Sequence, residues 1–381
     1  MLNDARKLRG LAATLFVALL AVITILLIVW TQWRASPRLS PDDAPEVEAR
    51  VVRVISTRQV EIAPAQTQPV QRVELELADG ARIEAEHNAP GDDLVLRADD
   101  RVLVLAVPAA NGQTEIVITD LVRTGALALL GAGFVIFAIL VSGWKGVRAL
   151  IGLAFSFVVL LGFVLPQIFD GRDPVLISVI GASLLLAVTL YLTQGWSLKT
   201  HVALAGVFVS LILTGALASF AIRFARLSGF GAEESMFLQS ANVAINLRGL
   251  LLAGIIVGTL GVLDDVIVSQ ASAVMELADA NPALGWRELY RRAMNIGHDH
   301  IAATINTLVL AYVGAAMPLW MVFQLYPEPW TLTLNREMIA EEIVRTLVGS
   351  LGLIAAVPIT TLIASVAKIK FGPAKYANER E

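Results

Sequence analysis

The chain has 381 residues, 56% of them hydrophobic and 16% charged, with a mean hydropathy of +0.69; soluble domains lie nearer about half apolar and about a quarter charged. The net charge of −4 is segregated along the chain rather than spread over it, and so argues neither for nucleic acid nor for an acidic ligand as partner. No cysteine is present, so disulfides, thiolate metal sites and cysteine nucleophiles are excluded, and a metal would have to rest on His, carboxylate or carbonyl oxygen.

The first apolar run is Leu11–Trp30, preceded by Arg6, Lys7 and Arg9. Its core is longer than the apolar region of a secretory signal, and Trp33-Arg34-Ala35-Ser36 makes a poor cleavage site. Residues 1–34 therefore read as an uncleaved membrane anchor, with the basic residues holding the N-terminus in the cytoplasm.

Residues 35–123 differ in kind. They are polar, rich in proline at the start, and contain short segments of Val, Ile and Leu: Val47–Ile55, Val70–Leu77, Ala81–Ala85, Arg101–Val107 and Glu115–Thr119. Asp79-Gly80 between two alternating runs is a strong hairpin signal, and Asn111-Gly112 is a second. Five strands with a long first strand suit a small OB-like barrel. No aromatic residue lies on them, so a base-stacking surface is not expected.

Residues 124–381 carry the other apolar runs: Gly125–Val141, Val147–Leu165, Val175–Leu192, Val202–Ile222, Leu247–Leu263, Ile301–Phe323 and Ile343–Ala367. Each is close to the roughly 20 residues that cross a bilayer, so the fold class expected is a polytopic helical membrane protein of about eight spans. With the N-terminus inside, Lys145 and Arg148, Lys199, the Arg287/Arg291/Arg292 group and the lysines of the tail all fall in the cytoplasm. This satisfies the positive-inside rule, places both termini in the cytoplasm and makes the β-rich domain extracytoplasmic. Arg172, Arg223, Arg226 and Arg336 fall outside and weaken the bias without reversing it.

From Ala241 to Ala280 the chain is mostly apolar, too long for one perpendicular crossing, and Asp264-Asp265 interrupts it. Either a membrane helix ends at the acidic pair and an amphipathic helix follows, or two half-helices meet there. Gly254, Gly258 and Gly261 form a small-residue face suited to close helix packing. Glu342 and Arg345 stand three apart and suit a local ion pair. Pro358 beside Thr360 and Thr361 predicts a kink whose freed carbonyls the hydroxyls satisfy. The turn Gly229-Phe230-Gly231, followed by Asn242, Asn246 and Arg248, would permit a re-entrant segment at the outer face.

The densest chemistry joins Asp264-Asp265 to Gly297-His298-Asp299-His300, expected at the cytoplasmic ends of neighbouring spans. His300, Thr304 and Thr307 share one helical face, with Asp299 and Asn306 beside it. Ionisable groups next to lipid cost several kcal/mol unless paired or hydrated, which makes Asp264, Asp265, Asp299, His300, Thr304 and Asn306 a candidate cation or transport site. The alternative is an ordinary solvated helix end. A divalent cation on Asp264, Asp265, His298 and His300, or coupling to protons, are the cofactor chemistries such a set would suit. The spacing is not that of a His-Glu-x-x-His metal helix, and no nucleophile–base pair is evident.

Several blocks resemble the YibE/F family of multispanning bacterial membrane proteins. They are Gln239-Ser240-Ala241-Asn242, Asn246-Leu247-Arg248-Gly249, Gly261-Val262-Leu263-Asp264-Asp265-Val266 with Ser269-Gln270-Ala271-Ser272, and Gly297-His298-Asp299-His300-Ile301 with Asn306-Thr307-Leu308. At His298 the resemblance leads one to expect a basic residue. It implies a location in the bacterial plasma membrane and a multi-pass architecture, and it implies no reaction.

Three functions remain open on these residues. The first is a permease or exporter of a small solute or ion. The second is a non-transporting scaffold or sensor whose β-domain binds an envelope partner, and the third is a metal-dependent membrane enzyme. The partners expected are the lipid bilayer, a small ion or solute, a second copy of the chain as a candidate, and no nucleic acid.

Overall fold

A computed structural model of the chain describes residues 46–63, 66–89, 94–108, 114–231, 233–240, 245–325 and 328–371. The predicted anchor, Asn111-Gly112 and Asn242 lie outside the described residues. The chain divides at Gly143 into two compact units.

The first unit carries strands β1 (Val47–Ala63), β2 (Gln66–Leu77), β3 (Arg82–Asn88), β4 (Arg101–Pro108) and β5 (Thr114–Leu121). They form one sheet in the order β3-β2-β1-β4-β5, with every neighbouring pair antiparallel. The edge strands β3 and β5 also approach each other. Alternation puts Val51, Val73, Leu75, Val102 and Val104 into a common core with Leu96. Gln71 is buried there because it replaces a missing ladder partner: its amide donates to the Leu96 carbonyl at 3.1 Å and its carbonyl accepts from the Leu96 amide at 2.6 Å. The Asp79-Gly80 hairpin forms as expected, with Gly80 at φ 83° and the Asp79 carboxylate accepting from the Ala81 amide. β1 runs eight residues beyond its predicted end at Ile55, because Ser56–Ala63 pairs with Gln66–Arg72 as a two-stranded ribbon.

Helix α1 follows, continuous in its apolar character from Thr124 to Phe169. It is interrupted at Gly143, whose φ of 57° and ψ of −137° no side-chain-bearing residue adopts readily. It contains one π-turn, Leu160–Val164. Before the interruption its large apolar side chains are exposed: Leu129 by 75%, Phe137 by 70% and Leu140 by 76%.

The second unit continues with α2 (Pro174–Gln194), α3 (Leu198–Phe224), α4 (Glu233–Ser240), α5 (Leu247–Ala280), α6 (Trp286–Ala315), α7 (Met317–Leu325), the short α8 (Trp330–Thr333) and α9 (Glu337–Phe371). Their starts are written in the sequence. The Asp173 carboxylate accepts from the Leu176 amide ahead of Pro174, Ser197 caps α3, and Asn246 caps α5 through the Gly249 amide at 3.0 Å. Helix α9 is the centre, packed against α3, α5 and α6. A single large core, including Val207, Ile256, Leu263, Ile267, Leu353 and Val357, fills the space between them.

Helices α3 and α9 run antiparallel and interlock reciprocally. A Cβ at Gly352 would come within 2.2 Å of the Thr214 hydroxyl, and one at Gly206 within 2.6 Å of the Thr360 hydroxyl. The predicted packing face of Gly254, Gly258 and Gly261 is not used this way. Among the described residues Gly254 and Gly261 meet nothing, and of the three only Gly258 faces another helix, at the Tyr312 hydroxyl.

Five of these helices are long and apolar enough to cross a membrane, and six if α6 and α7, bent by 58° at their junction, form one broken span. The bend falls at Pro318, which lacks the amide needed to continue α6. The two predicted spans Gly125–Val141 and Val147–Leu165 fall on the one long α1, either side of Gly143. Neither alternative for the Ala241–Ala280 stretch occurs among the described residues. From Leu247 the chain is one unbroken helix through Asp264-Asp265, about 50 Å long at 1.5 Å per residue, so it must tilt or project beyond about 30 Å of hydrocarbon. Pro358 likewise sits inside an unbroken α9. It removes the amide that would meet the Ile354 carbonyl, and the nearby Thr361 hydroxyl bonds the Val357 carbonyl instead.

Candidate functional site

The interior of the second unit is not uniformly apolar. Helix α3 buries Ser210 and Thr214, α5 buries Thr259 and Gln270, and α9 buries Ser350, Thr360, Thr361 and Ser365. Some of these hydroxyls bond back to their own helix, as Thr214 does to Ser210 and Thr259 to Ile255. Gln270 instead ties three helices together. Its amide nitrogen donates to the Ala293 carbonyl of α6 at 3.0 Å and to the Thr361 hydroxyl of α9 at 2.7 Å. A Cβ at Gly297 would lie 3.2 Å from that same nitrogen, so only a glycine lets α6 approach this closely. Among the described residues, the Gln270 carbonyl oxygen and the hydroxyls of Ser210, Ser350, Thr360 and Ser365 are buried without a hydrogen-bond partner. Buried polar atoms are nearly always paired, so these five are exceptions.

The acidic pair lies midway along the continuous helix α5. Two contacts fix its level: Gly349 meets Thr259 and Gln270 meets Thr361, which sets Asp264 beside the Ile354 level, near the middle of the apolar run of α9. Asp265 is exposed on the same stripe as Gly258 and Gly261. Asp264 is half-buried, and one of its carboxylate oxygens is shut from the surface without a partner.

His298, Asp299 and His300 also stand inside a helix, the fourth turn of α6, which starts at Trp286 rather than near Ile301. His298 and Asp299 are exposed and His300 is half-buried. The register set by Gly297 against Gln270 and Tyr312 against Gly258 brings Thr304 and Asn306, not the histidines, level with Asp264. Thr304 donates to the His300 carbonyl at 2.7 Å, and Asn306 is exposed. Among the described residues no hydrogen bond or ion pair joins Asp264 or Asp265 to Asp299 or His300, and no three His, Asp or Glu side chains are grouped to hold a metal ion.

The end of the unit where α5 and α9 begin is built around the loop Leu227–Gly231. Glu337 of α9 accepts from the Ser228 amide and hydroxyl and from the Gly229 amide, and Glu341, one turn on and 4% exposed, accepts from the Gly231 amide at 3.1 Å. Gly229, at φ 88°, lies so close to the Leu247 backbone that a Cβ would come within 2.5 Å of it. Arg248 donates through Nε to the Leu227 carbonyl at 2.9 Å. These contacts leave a cavity of about 640 Å³ lined by Ser228, Phe230, Gln239, Ile245, Asn246, Leu247 and Arg248. At the other end Lys368 meets Asp279 at 2.7 Å, joining the last turns of α9 and α5. Glu342 and Arg345 form the expected local pair, 3.4 Å apart.

Sequence reasoning missed Gln270, Glu337 and Glu341. A glutamine in an otherwise apolar helix and two glutamates four apart at a helix start were the available signals.

Long apolar helices packed on one large apolar core that admits a few polar side chains make this a helical membrane protein. Residues 130–370 match the YibE/F-like protein family, and the chain belongs to that family, as its motifs indicated. No curated protein and no solved structure matches it.

Proposed function

We propose that the chain is a permease or exporter of a small polar solute or ion in the bacterial plasma membrane, moving its cargo along the α3–α5–α9 interior with Asp264 as the coupling group. The observation that carries this is the set of five polar side-chain atoms on those helices that are buried without a partner among the described residues: those of Ser350, Ser210, Thr360, the Gln270 carbonyl and Ser365. A static scaffold gains nothing from them, whereas a path for a hydrated ion or solute needs such partners. Asp264 adds an ionisable group midway along α5 with one oxygen unpaired among the described residues, a position that suits a transport site. Thr304 and Asn306 stand at its level, and His300, Asp299 and Asp265 supply further charge toward the cytoplasmic side. The positive-inside count supports eight spans, with Gly143 dividing α1 into two and both termini in the cytoplasm. The strand order and the approach of β3 to β5 support the OB-like reading of an extracytoplasmic domain over residues 35–123. The test is flux: the purified full-length chain in liposomes should change luminal pH or ion content when solute gradients are imposed. Liposomes that stay silent to a broad panel of ions and organic solutes would count against transport.

A second reading is a scaffold acting through the β-rich unit. It is favoured by the β1–β2 ribbon, which leaves Val60 and Ile62 exposed, Ile62 by 60%. A cellular phenotype that needs residues 36–123 and tolerates Asp264→Asn would support it.

A further inference from the structure

The cavity at the amino ends of α5 and α9 has a composition that selects one kind of guest. Arg248 has its Nε committed to the Leu227 carbonyl, which fixes the guanidinium plane and leaves the two terminal amino groups as a fork. No carboxylate partner for Arg248 occurs among the described residues. The carboxylates of Glu337 and Glu341 turn oxygens to the amides of Ser228, Gly229 and Gly231. No acidic residue lines the cavity among the described residues.

The remaining lining divides by chemistry. Asn246 spends its side-chain oxygen on capping α5, which leaves its amide N–H groups as donors. Gln239 adds a second exposed amide. The Ser228 hydroxyl is engaged with Glu337 and the Phe230 amide, and so holds the wall rather than a guest. Phe230, Ile245 and Leu247 supply apolar surface. A guanidinium fork, amide donors and an apolar wall with no competing acid together favour an anion with a hydrocarbon body. The start of the 34-residue α5 adds a favourable field for it.

We infer that this cavity binds a small organic carboxylate, its two oxygens on the terminal amino groups of Arg248 and its hydrocarbon part against Phe230, Ile245 and Leu247. This deepens the transport reading by naming a substrate class, and it rests on that reading only for what happens after binding. A volume of about 640 Å³ accommodates a benzoate-sized guest with water.

The test is calorimetric titration of the full-length chain, held in nanodiscs of neutral lipid, with benzoate, benzamide and inorganic phosphate. Benzoate should bind saturably, and benzamide, its uncharged counterpart, at least about tenfold more weakly. Arg248→Gln should weaken benzoate by about tenfold or more and Arg248→Lys by less, because a lysine keeps the charge but not the fork. Gln239→Glu, an exposed change that does not touch the loop bonds, should weaken it too, and this covers the case in which the Arg248 variants fail to fold. Equal binding of benzoate and benzamide, or unchanged affinity in a folded Arg248→Gln, overturns the inference. Saturable phosphate binding without benzoate binding overturns it as well. So does anionic phospholipid that copurifies with the wild type and is absent from Arg248→Gln, since a headgroup would then be the guest. Benzoate binding without flux would leave the site standing and remove the transport reading; flux of other solutes without benzoate binding would do the reverse.

Discussion

The amide of Gln270 donates to the hydroxyl of Thr361 across the α5–α9 interface at 2.7 Å, in a place where both side chains are buried. The same nitrogen reaches the Ala293 carbonyl, so one side chain sets the register of three helices. Gln270→Leu and Thr361→Val should each lower stability, and their double-mutant cycle should show a coupling of about 1 kcal/mol, the usual size of an interhelical hydrogen bond in a membrane protein. Thermal unfolding in detergent measures it. Strictly additive variants would mean the bond contributes no net stability.

The reciprocal interlock of α3 and α9 makes a sharper steric forecast. Gly352→Ala puts a methyl carbon 2.2 Å from the Thr214 hydroxyl, an overlap that costs about 1–3 kcal/mol. Thr214→Ala removes the obstructing atoms, so the double variant should recover most of the loss. Failure to recover would show that α9 lacks room there for another reason.

The carboxylates of Glu337 and Glu341 hold the Leu227–Gly231 loop by its amides. Glu337→Ala removes three acceptor contacts at once. Hydrogen exchange of the Ser228 and Gly229 amides should then quicken by about tenfold or more, more than that of the Gly231 amide held by Glu341, with the α5–α9 core unchanged. Glu337→Gln keeps a carbonyl acceptor and should lie between the wild type and the alanine variant.

In the β-rich unit, Gln71→Leu strips both partners from the Leu96 backbone inside the core. Unpaired buried peptide groups cost about 1–3 kcal/mol each, so this unit should melt earlier than in the wild type. A matching loss in the helical unit would be unexpected and would point to coupled folding of the two.

Much of this architecture could be read from residues alone, because lipid imposes a length. The apolar runs of 175–192, 202–222 and 343–367 fall inside α2, α3 and α9. The strands were legible from alternation and from Asp79-Gly80. What escaped was the continuity of the helices. Asp264-Asp265 looks like a helix end in a hydropathy profile, yet aspartate only mildly disfavours helix, and α5 runs on because Val266, Ile267, Ala271 and Val274 continue the buried face. The start of α6 escaped in the same way, since Trp286–Ile296 is polar enough to pass for a loop while Leu289 and Ala293 anchor it to the core. Gln270 was invisible for another reason. Its importance comes from Ala293 and Thr361, which are distant in the chain and meet it only after folding.

The account stands most directly on Asp264 as the coupling group. Wild-type chain and Asp264→Asn should be reconstituted at equal density into liposomes holding a pH-sensitive dye, and the luminal signal followed after a gradient of benzoate or another small solute is imposed. The account predicts that the wild type gives a saturable signal and Asp264→Asn loses it by at least about tenfold while its melting temperature is unchanged or higher, since a buried unpaired charge has been removed. A wild-type signal that survives intact in Asp264→Asn would contradict it.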